Sequence, residues 1–353
     1  MLLTIAAGTV SCGKNETLNS EADILTCQVN GDSELVAEIS NDAIKFTPKA
    51  GADVTGIALN FTLSDGATIS PASGTIRNFT KPQTYTVTSE DGEWDKIYTV
   101  TFYTSSIVEP GQSVFYNFEN VSYEESSKFK YTVFNELAES GSLAMSWASG
   151  NEGFNIINKN TNPSTYPTYQ SNEGRTGKCL KLVTKSTGSL GEIFRMPIAA
   201  GNLFLGTFDV SNATTKPLQA TKFGIPFFNK PVRLKGYYKY TPVNIAANKP
   251  DALSIYSVLF STEEGVSHLD GTNVFTHKNV IAIAKYESSE NASAWTEFNV
   301  SFNYNGQTEF NQADLDAGKY KLALVFSSSA DGANFKGGVG STLLIDDVEI
   351  VCE

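Results

Sequence analysis

The sequence predicts an all-β protein of two sandwiches, an immunoglobulin-like one followed by a larger jelly roll, and three observations predict it. The 353 residues include 22 Phe and 15 Tyr amid abundant Thr, Ser and Asn, a composition that suits pleated, half-buried surfaces. Runs with the period of a strand recur along the chain, while helix-period runs are almost absent. The length suffices for two domains with substantial cores.

Each element has its own justification. Met1–Cys12 reads MLLTIAAGTVSC, a short apolar run ending in small residues before a cysteine. That is the form of a bacterial lipoprotein signal, and it is too short to span a bilayer. Residues 1–21 are therefore expected to be signal and tether, with export, acylation of Cys12 and a lipid anchor at the outer membrane or cell surface. Residues 22–104 carry strand-like runs at Ile24–Val29, Glu34–Ile39, Ile44–Pro48, Val54–Leu63, Thr84–Thr88 and Ile97–Tyr103, the spacing of an immunoglobulin-like sandwich. In the last two, Tyr85 and Val87, then Tyr98, Val100 and Phe102, alternate with threonines. The Asp- and Gly-bearing stretch Ser89–Lys96 joins them as a hairpin.

Ser105–Gln112, with Pro110-Gly111, reads as a linker. Residues 113–353 open at Val114–Asn120 and continue through strands at Cys179–Val183, Val232–Tyr240, Leu253–Phe260, Val280–Tyr286, Thr296–Tyr304 and Lys319–Ser327 before a terminal strand. Several are apolar on both phases, as strands covered on both sides should be. Long Asn-, Gly- and Pro-rich connections at Gly150–Arg175 and Gly201–Lys230 decorate the jelly roll.

Two resemblances attach to these segments. Leu63–Gly74 (LSDGATISPASG) and Tyr85–Gly92 (YTVTSEDG) resemble immunoglobulin-like N-terminal domains on surface lipoproteins of Gram-negative gut bacteria, which implies a spacer or adhesion module. Phe118-Glu119-Asn120, Ala200–Gly206, Pro226–Pro231, Gly236–Tyr240, Trp295–Phe298 and Gly340–Asp347 are together similar to the putative carbohydrate metabolism domain (PCMD) family. That likeness implies a jelly roll resembling carbohydrate-binding modules, on an exported protein that handles sugars.

The terminal strand follows a polar, glycine-rich loop, Ser327–Ser341. Strict alternation puts Leu344, Asp346, Val348 and Ile350 on one face, so Asp346 is expected to point inward among apolar neighbours. A buried carboxylate must be paired, hydrogen-bonded or metal-bound. The family likeness implies a structural Ca2+ held by Asp346 and Glu119, with loop carbonyls completing the shell. The alternative is that Asp346 accepts hydrogen bonds from a neighbouring loop. With Cys12 lipidated, Cys179 and Cys352 could form a bridge, or stand as small buried residues.

Sugar rings stack their C–H faces on aromatic side chains while their hydroxyls bond to polar loops. Trp147, before a polar loop bearing Tyr166 and Tyr169, Trp295, on the strand phase shared with Glu297 and Asn299, and Tyr237, on the phase of Arg233, Lys235 and Lys239, are the candidate platforms. The net charge of −12 argues against nucleic acid and anionic membrane surfaces as partners, since both demand basic patches. A catalytic site has less support: Glu263-Glu264 read as a solvated turn, His268 and His277 lack a Ser or Cys motif, and no phosphate loop or zinc spacing occurs. The sequence therefore points to a non-catalytic envelope lipoprotein that binds polysaccharide or oligosaccharide and supports its use. A glycoside hydrolase on the same jelly roll and a surface adhesion or structural protein are the alternatives.

Overall fold

The computed structural model describes residues 18–39, 41–46, 48, 52–102, 112–124, 130–138, 141, 143–158 and 160–353. The Cys12 leader and most of the expected linker lie outside the described residues. The protein is all-β, and the described residues fall into two compact units, before and after the linker stretch.

In the first unit, an immunoglobulin-like sandwich, one sheet runs Asp32–Val36, Ile24–Val29, Ile57–Leu63, Ile76–Arg77. The other runs Glu38–Ile39, Ala43–Phe46, Asp95–Phe102, Gln83–Thr88, Thr68–Ser70. The hairpin forms as the alternation requires: Tyr85 lies opposite Tyr98, and both are buried with Val87, Val100 and Phe102 in the core. The single strand expected at Glu34–Ile39 is two, because the chain changes layer there and contributes to both sheets.

The second unit is a jelly-roll sandwich. Its front sheet runs Thr168–Ser171, Cys179–Val183, Thr342–Cys352, Pro231–Thr241, Ala292–Ser301, and Val114–Tyr116 also pairs with the terminal strand. Its back sheet is centred on Tyr320–Ser327 and Leu253–Ser261, flanked by Asn202–Phe204, Ile225–Pro226 and Val280–Ser288. Leu234, Tyr238, Tyr240, Phe298, Leu343 and Ile345 of the front sheet share one core with Ile255, Leu259, Leu322, Leu324 and Phe326 of the back sheet.

The back sheet is covered on its other side too. Val258, Phe260, Ala323 and Val325 pack there beneath Phe223, Leu269 and Val274, which explains why these strands are apolar on both phases. The front sheet's outer face is the one left to solvent. The polar loop before the terminal strand is tied down by buried Asp251, which accepts the Ser329 hydroxyl at 2.6 Å and the Gly338 N–H at 2.8 Å. Among the described residues, no helix is long and apolar enough to cross a membrane.

One expectation about the terminal strand needs correction, and of the two readings of Cys179 and Cys352 the structure has the small buried residues. Leu343 and Ile345 face the core before Asp347, whereas Val348 and Ile350 face it afterwards. A β-bulge at Asp347, whose φ is 48°, opposes the neighbouring strand between Lys235 and Tyr237 and reverses the phase. Asp346 is thus fully buried but on the outer side of the sheet, beneath a loop. Cys179 and Cys352 are free thiols. Leu180 pairs with Ile345, so Cys179 sits level with Asp346; Cys352 is six residues further along, roughly 20 Å at 3.3 Å per residue and far beyond disulfide reach.

Candidate functional site

The site begins with a gap in strand pairing. Along one side of the terminal strand, Cys179–Val183 covers Thr342 to Ile345 and Val114–Tyr116 covers Val348 to Ile350. Asp346 and Asp347 fall between these two partners, and the bulge lies at the break. The loop Glu173–Lys178 crosses it. Asp346 Oδ2 accepts the N–H groups of Arg175 at 2.7 Å and Thr176 at 3.2 Å, while Oδ1 accepts the N–H of Asp347 at 2.9 Å. Glu119 accepts the N–H of Lys178 at 2.9 Å, with Gly177 held at φ +71° against its carboxylate. That positive φ favours glycine, and a side chain at 177 would push the Glu119 carboxylate aside.

Asp346 and Glu119 therefore do converge, but on a loop. Burial raises the Asp346 pKa, and the loop N–H groups pull it partly back. The donors around Asp346 are N–H groups, the wrong polarity for the oxygen shell that calcium needs. Among the described residues, no group of three or more His, Cys, Asp or Glu side chains is placed to hold a metal. The pair does not fit a calcium ion as arranged.

Pinning this loop places Arg175 on the outer face. Its guanidinium lies 3.9 Å from the centroid of the Tyr237 ring and bonds Asp347 Oδ2 at 2.7 Å. Lys235 and Glu349 pair at 2.6 Å one step along the same strands. Glu297 stands opposite Tyr237 on the neighbouring strand and is exposed. Phe115, opposite Glu349, is 67% exposed. Together these residues line a groove of about 460 Å³, within the roughly 300–1,000 Å³ of small-molecule sites.

The three expected platforms have different fates. Tyr237 lines the groove, half-buried beneath Arg175. Trp295 lies further up the outer face, half-buried, with the Lys239 ammonium 5.1 Å from its ring. Trp147 is 4% exposed and stacks among Tyr116, Phe118 and Phe326. Its indole N–H donates to Glu136 at 2.9 Å. With both ring faces packed inside the sandwich it has no surface for a sugar, because Thr132–Leu137 and Leu143–Ser146 form a hairpin that carries it into the core. Burial pushes the Glu136 pKa up to about 7 against the opposing pull of that indole bond.

Phe115 and Arg175 were not among the expected site residues. The alternation of Val114, Phe115 and Tyr116 could have flagged Phe115 as an aromatic on an exposed phase. Nothing local marks Arg175, which is 172 residues from its partner Asp347.

Two family models match the chain in succession. One described as "SGBP, N-terminal" covers residues 24–102, and "Putative carbohydrate metabolism domain" covers residues 117–351. Among solved structures, the chain is similar to a putative glycoside hydrolase from Bacteroides thetaiotaomicron VPI-5482. The two are 43% identical, the match covers 97% of this chain and 99% of that one, and the TM-score is 0.84. A putative glycoside hydrolase from Bacteroides vulgatus ATCC 8482 is 41% identical over 68% of this chain and 98% of its own, with a TM-score of 0.64. No curated protein matches the chain.

Proposed function

The chain belongs to the putative carbohydrate metabolism domain family, and from that premise we propose that its second unit binds glycans in the groove on the outer face of the front sheet. One observation carries the reading: an open phenyl ring, an arginine stacked on a tyrosine, and carboxylates and a lysine converge in a single groove. Phe115 offers the flat apolar face, and the guanidinium of Arg175 offers a second plane fringed with N–H donors. Glu297, Asp347 and Glu349 accept sugar hydroxyls, while Lys235 donates to them. The stretch before Cys12 supports an exported, lipid-anchored protein of the outer membrane or cell surface, where tethering keeps captured polysaccharide near the machinery that uses it. The first unit then serves as a spacer.

The test is retention on immobilised polysaccharides of the full chain against a Phe115→Ala, Arg175→Ala variant. Binding should fall at least about tenfold, the loss expected from one stacking ring and one charged donor; unchanged retention would remove the groove from the account.

A second reading is glycoside hydrolysis in the same groove. Favouring it, Glu297 and Asp347 face the groove from strands on either side of Pro231–Thr241, about 10 Å apart at the backbone given strand spacings near 4.8 Å. Two carboxylates across a cleft are what inverting hydrolysis requires, and both similar structures are described as putative glycoside hydrolases. Release of reducing sugar that disappears in Glu297→Gln would establish it; binding without release would leave only capture.

A further inference from the structure

Above the groove, the same outer face carries an unusual row. Tyr169 lies opposite Lys181, Lys181 opposite Leu344, and Leu344 opposite Lys239. Directly opposed residues share a face, so the three side chains after Tyr169 stand side by side. Trp295 closes the row beyond Lys239, its ring 5.1 Å from that ammonium. Lys185 reaches back over Tyr169 at 6.0 Å, and its ammonium is held below the usual lysine range by burial and by the nearby charge of Lys181. Among the described residues, the carboxylate paired within this row is Glu173, bonded to Lys181 at 2.6 Å. Lys239 pairs with no carboxylate among the described residues.

Lys181 and Lys239 therefore share the one carboxylate of Glu173, Lys185 beside them donates to the Ser164 carbonyl at 3.1 Å, and two aromatic rings flank the three ammonium groups, on a protein whose net charge is −12. Stability does not account for the row. Like charges at close quarters repel, and Lys239 gains the Trp295 ring contact and a longer-range attraction to Glu173. An anion-bearing sugar suits these features: its C–H face stacks on the Trp295 ring, and its charged group sits between the ammonium groups.

We propose that this row is a subsite for acidic saccharides, which recognises the carboxylate of a uronic acid or the sulfate ester of a sulfated sugar. Lys239 and Lys181 are the anion contacts and Trp295 is the platform. The proposal rests on the reading that the second unit binds glycans, and it names the class of glycan. A chain that occupies the groove at Tyr237 extends across the row at Lys239, two residues along the same strand.

The experiment uses the full chain in affinity electrophoresis against polygalacturonate, the same backbone fully methyl-esterified, and dextran sulfate, which bears sulfate esters and no carboxylate. De-esterified polygalacturonate or the sulfated chain should retard the protein at least about tenfold more than the esterified form, as expected for charge-assisted hydrogen bonds. The preference should weaken with salt and vanish in Lys181→Gln, Lys239→Gln. Lys239→Gln alone, whose ammonium supports no ion pair, covers the case in which loss of the Lys181 bridge unfolds the chain. Lys249→Gln, Lys336→Gln is the charge-matched control and should keep the preference.

Retardation by polygalacturonate only assigns a uronate site, and retardation by dextran sulfate only assigns a sulfate site. Binding of the esterified backbone as strong as that of both the de-esterified backbone and the sulfated chain, or a preference that survives the lysine substitutions, overturns the proposal while leaving glycan binding in the groove intact. No binding to any of these or to the neutral polysaccharides that test the groove overturns both.

Discussion

Glu136 provides the sharpest quantitative handle on this fold. Its carboxylate is half-buried at the Thr132–Leu137 hairpin, where the Trp147 indole is its hydrogen-bond donor, and burial raises its pKa from the ordinary 4.5 to about 7. An acid whose folded pKa lies above its unfolded one contributes stability fully below the unfolded value and loses it as pH rises through the folded value. The window is therefore pH 4.5 to 7, with stability falling toward alkali. A shift of about 2.5 units corresponds to about 3 kcal/mol once the group is ionised in both states.

Glu136→Gln keeps an oxygen to accept the indole N–H but cannot ionise. Any cost of its amide is independent of pH, so the informative quantity is the change in the wild-type-to-variant difference. Between about pH 5 and about pH 8 that difference should move by about 2–3 kcal/mol in favour of the variant. At roughly 2–4 °C per kcal/mol for a unit of this size, the relative Tm should rise by about 5–10 °C. Thermal melts followed by near-ultraviolet circular dichroism, which reports the packing of Trp147 and its neighbours, measure this directly. A difference that stays constant with pH would mean that Glu136 is not desolvated, and a difference of opposite sign would mean that the fold stabilises its charge.

Other expectations concern the loop and the core. Asp346→Ala should expose the Arg175 and Thr176 amides to faster hydrogen exchange and cost about 1–3 kcal/mol, since these two loop N–H groups and that of Asp347 lose their acceptor; unchanged protection would show that the loop holds itself. Trp147→Ala should cost about 3–5 kcal/mol in chemical denaturation and leave glycan affinity per folded molecule unchanged, the reverse of what a binding platform would give. Gly236→Ala places a Cβ 2.7 Å from the Phe298 ring and 3.1 Å from Val348 Cα, opposite the bulge, and the overpacking should cost about 1–3 kcal/mol; a Tm equal to that of the wild type would show that the bulge has room to spare.

Much of the fold was legible because its signals are local. Cys179–Val183 reads as a strand from its own residues and is one. Leu253–Ser261 and Tyr320–Ser327 announce burial on both faces because both phases are apolar, and the structure supplies a cover for each face. The outward phase of Tyr237, Lys239 and Trp295 also followed from alternation. What was not legible depends on partners far away in sequence. The fate of Trp147 is decided by its hairpin with Thr132–Leu137, a strand too polar at Asn135 and Glu136 to stand out. Arg175 belongs to the site only because Asp346 receives its backbone N–H across most of the second unit.

The bulge at Asp347 shows why alternation misled there, and why the misreading bears on function. Counting by twos assumes an unbroken ladder, and the count fails where one strand gains a residue against its partner. Were the strand regular, the residues that keep Leu343 and Ile345 inside would turn Val348 and Ile350 out, exposing two core side chains. The extra residue lets both halves face inward. Its consequence on the other face is that Asp346 and Asp347 emerge together at the gap between two edge partners, one carboxylate seizing the loop backbone and the other the side chain of Arg175. The same local departure that keeps the core continuous thus assembles the Arg175–Tyr237 wall of the groove. A site built this way needs no motif: it needs a strand with two obligations and a loop long enough to reach it.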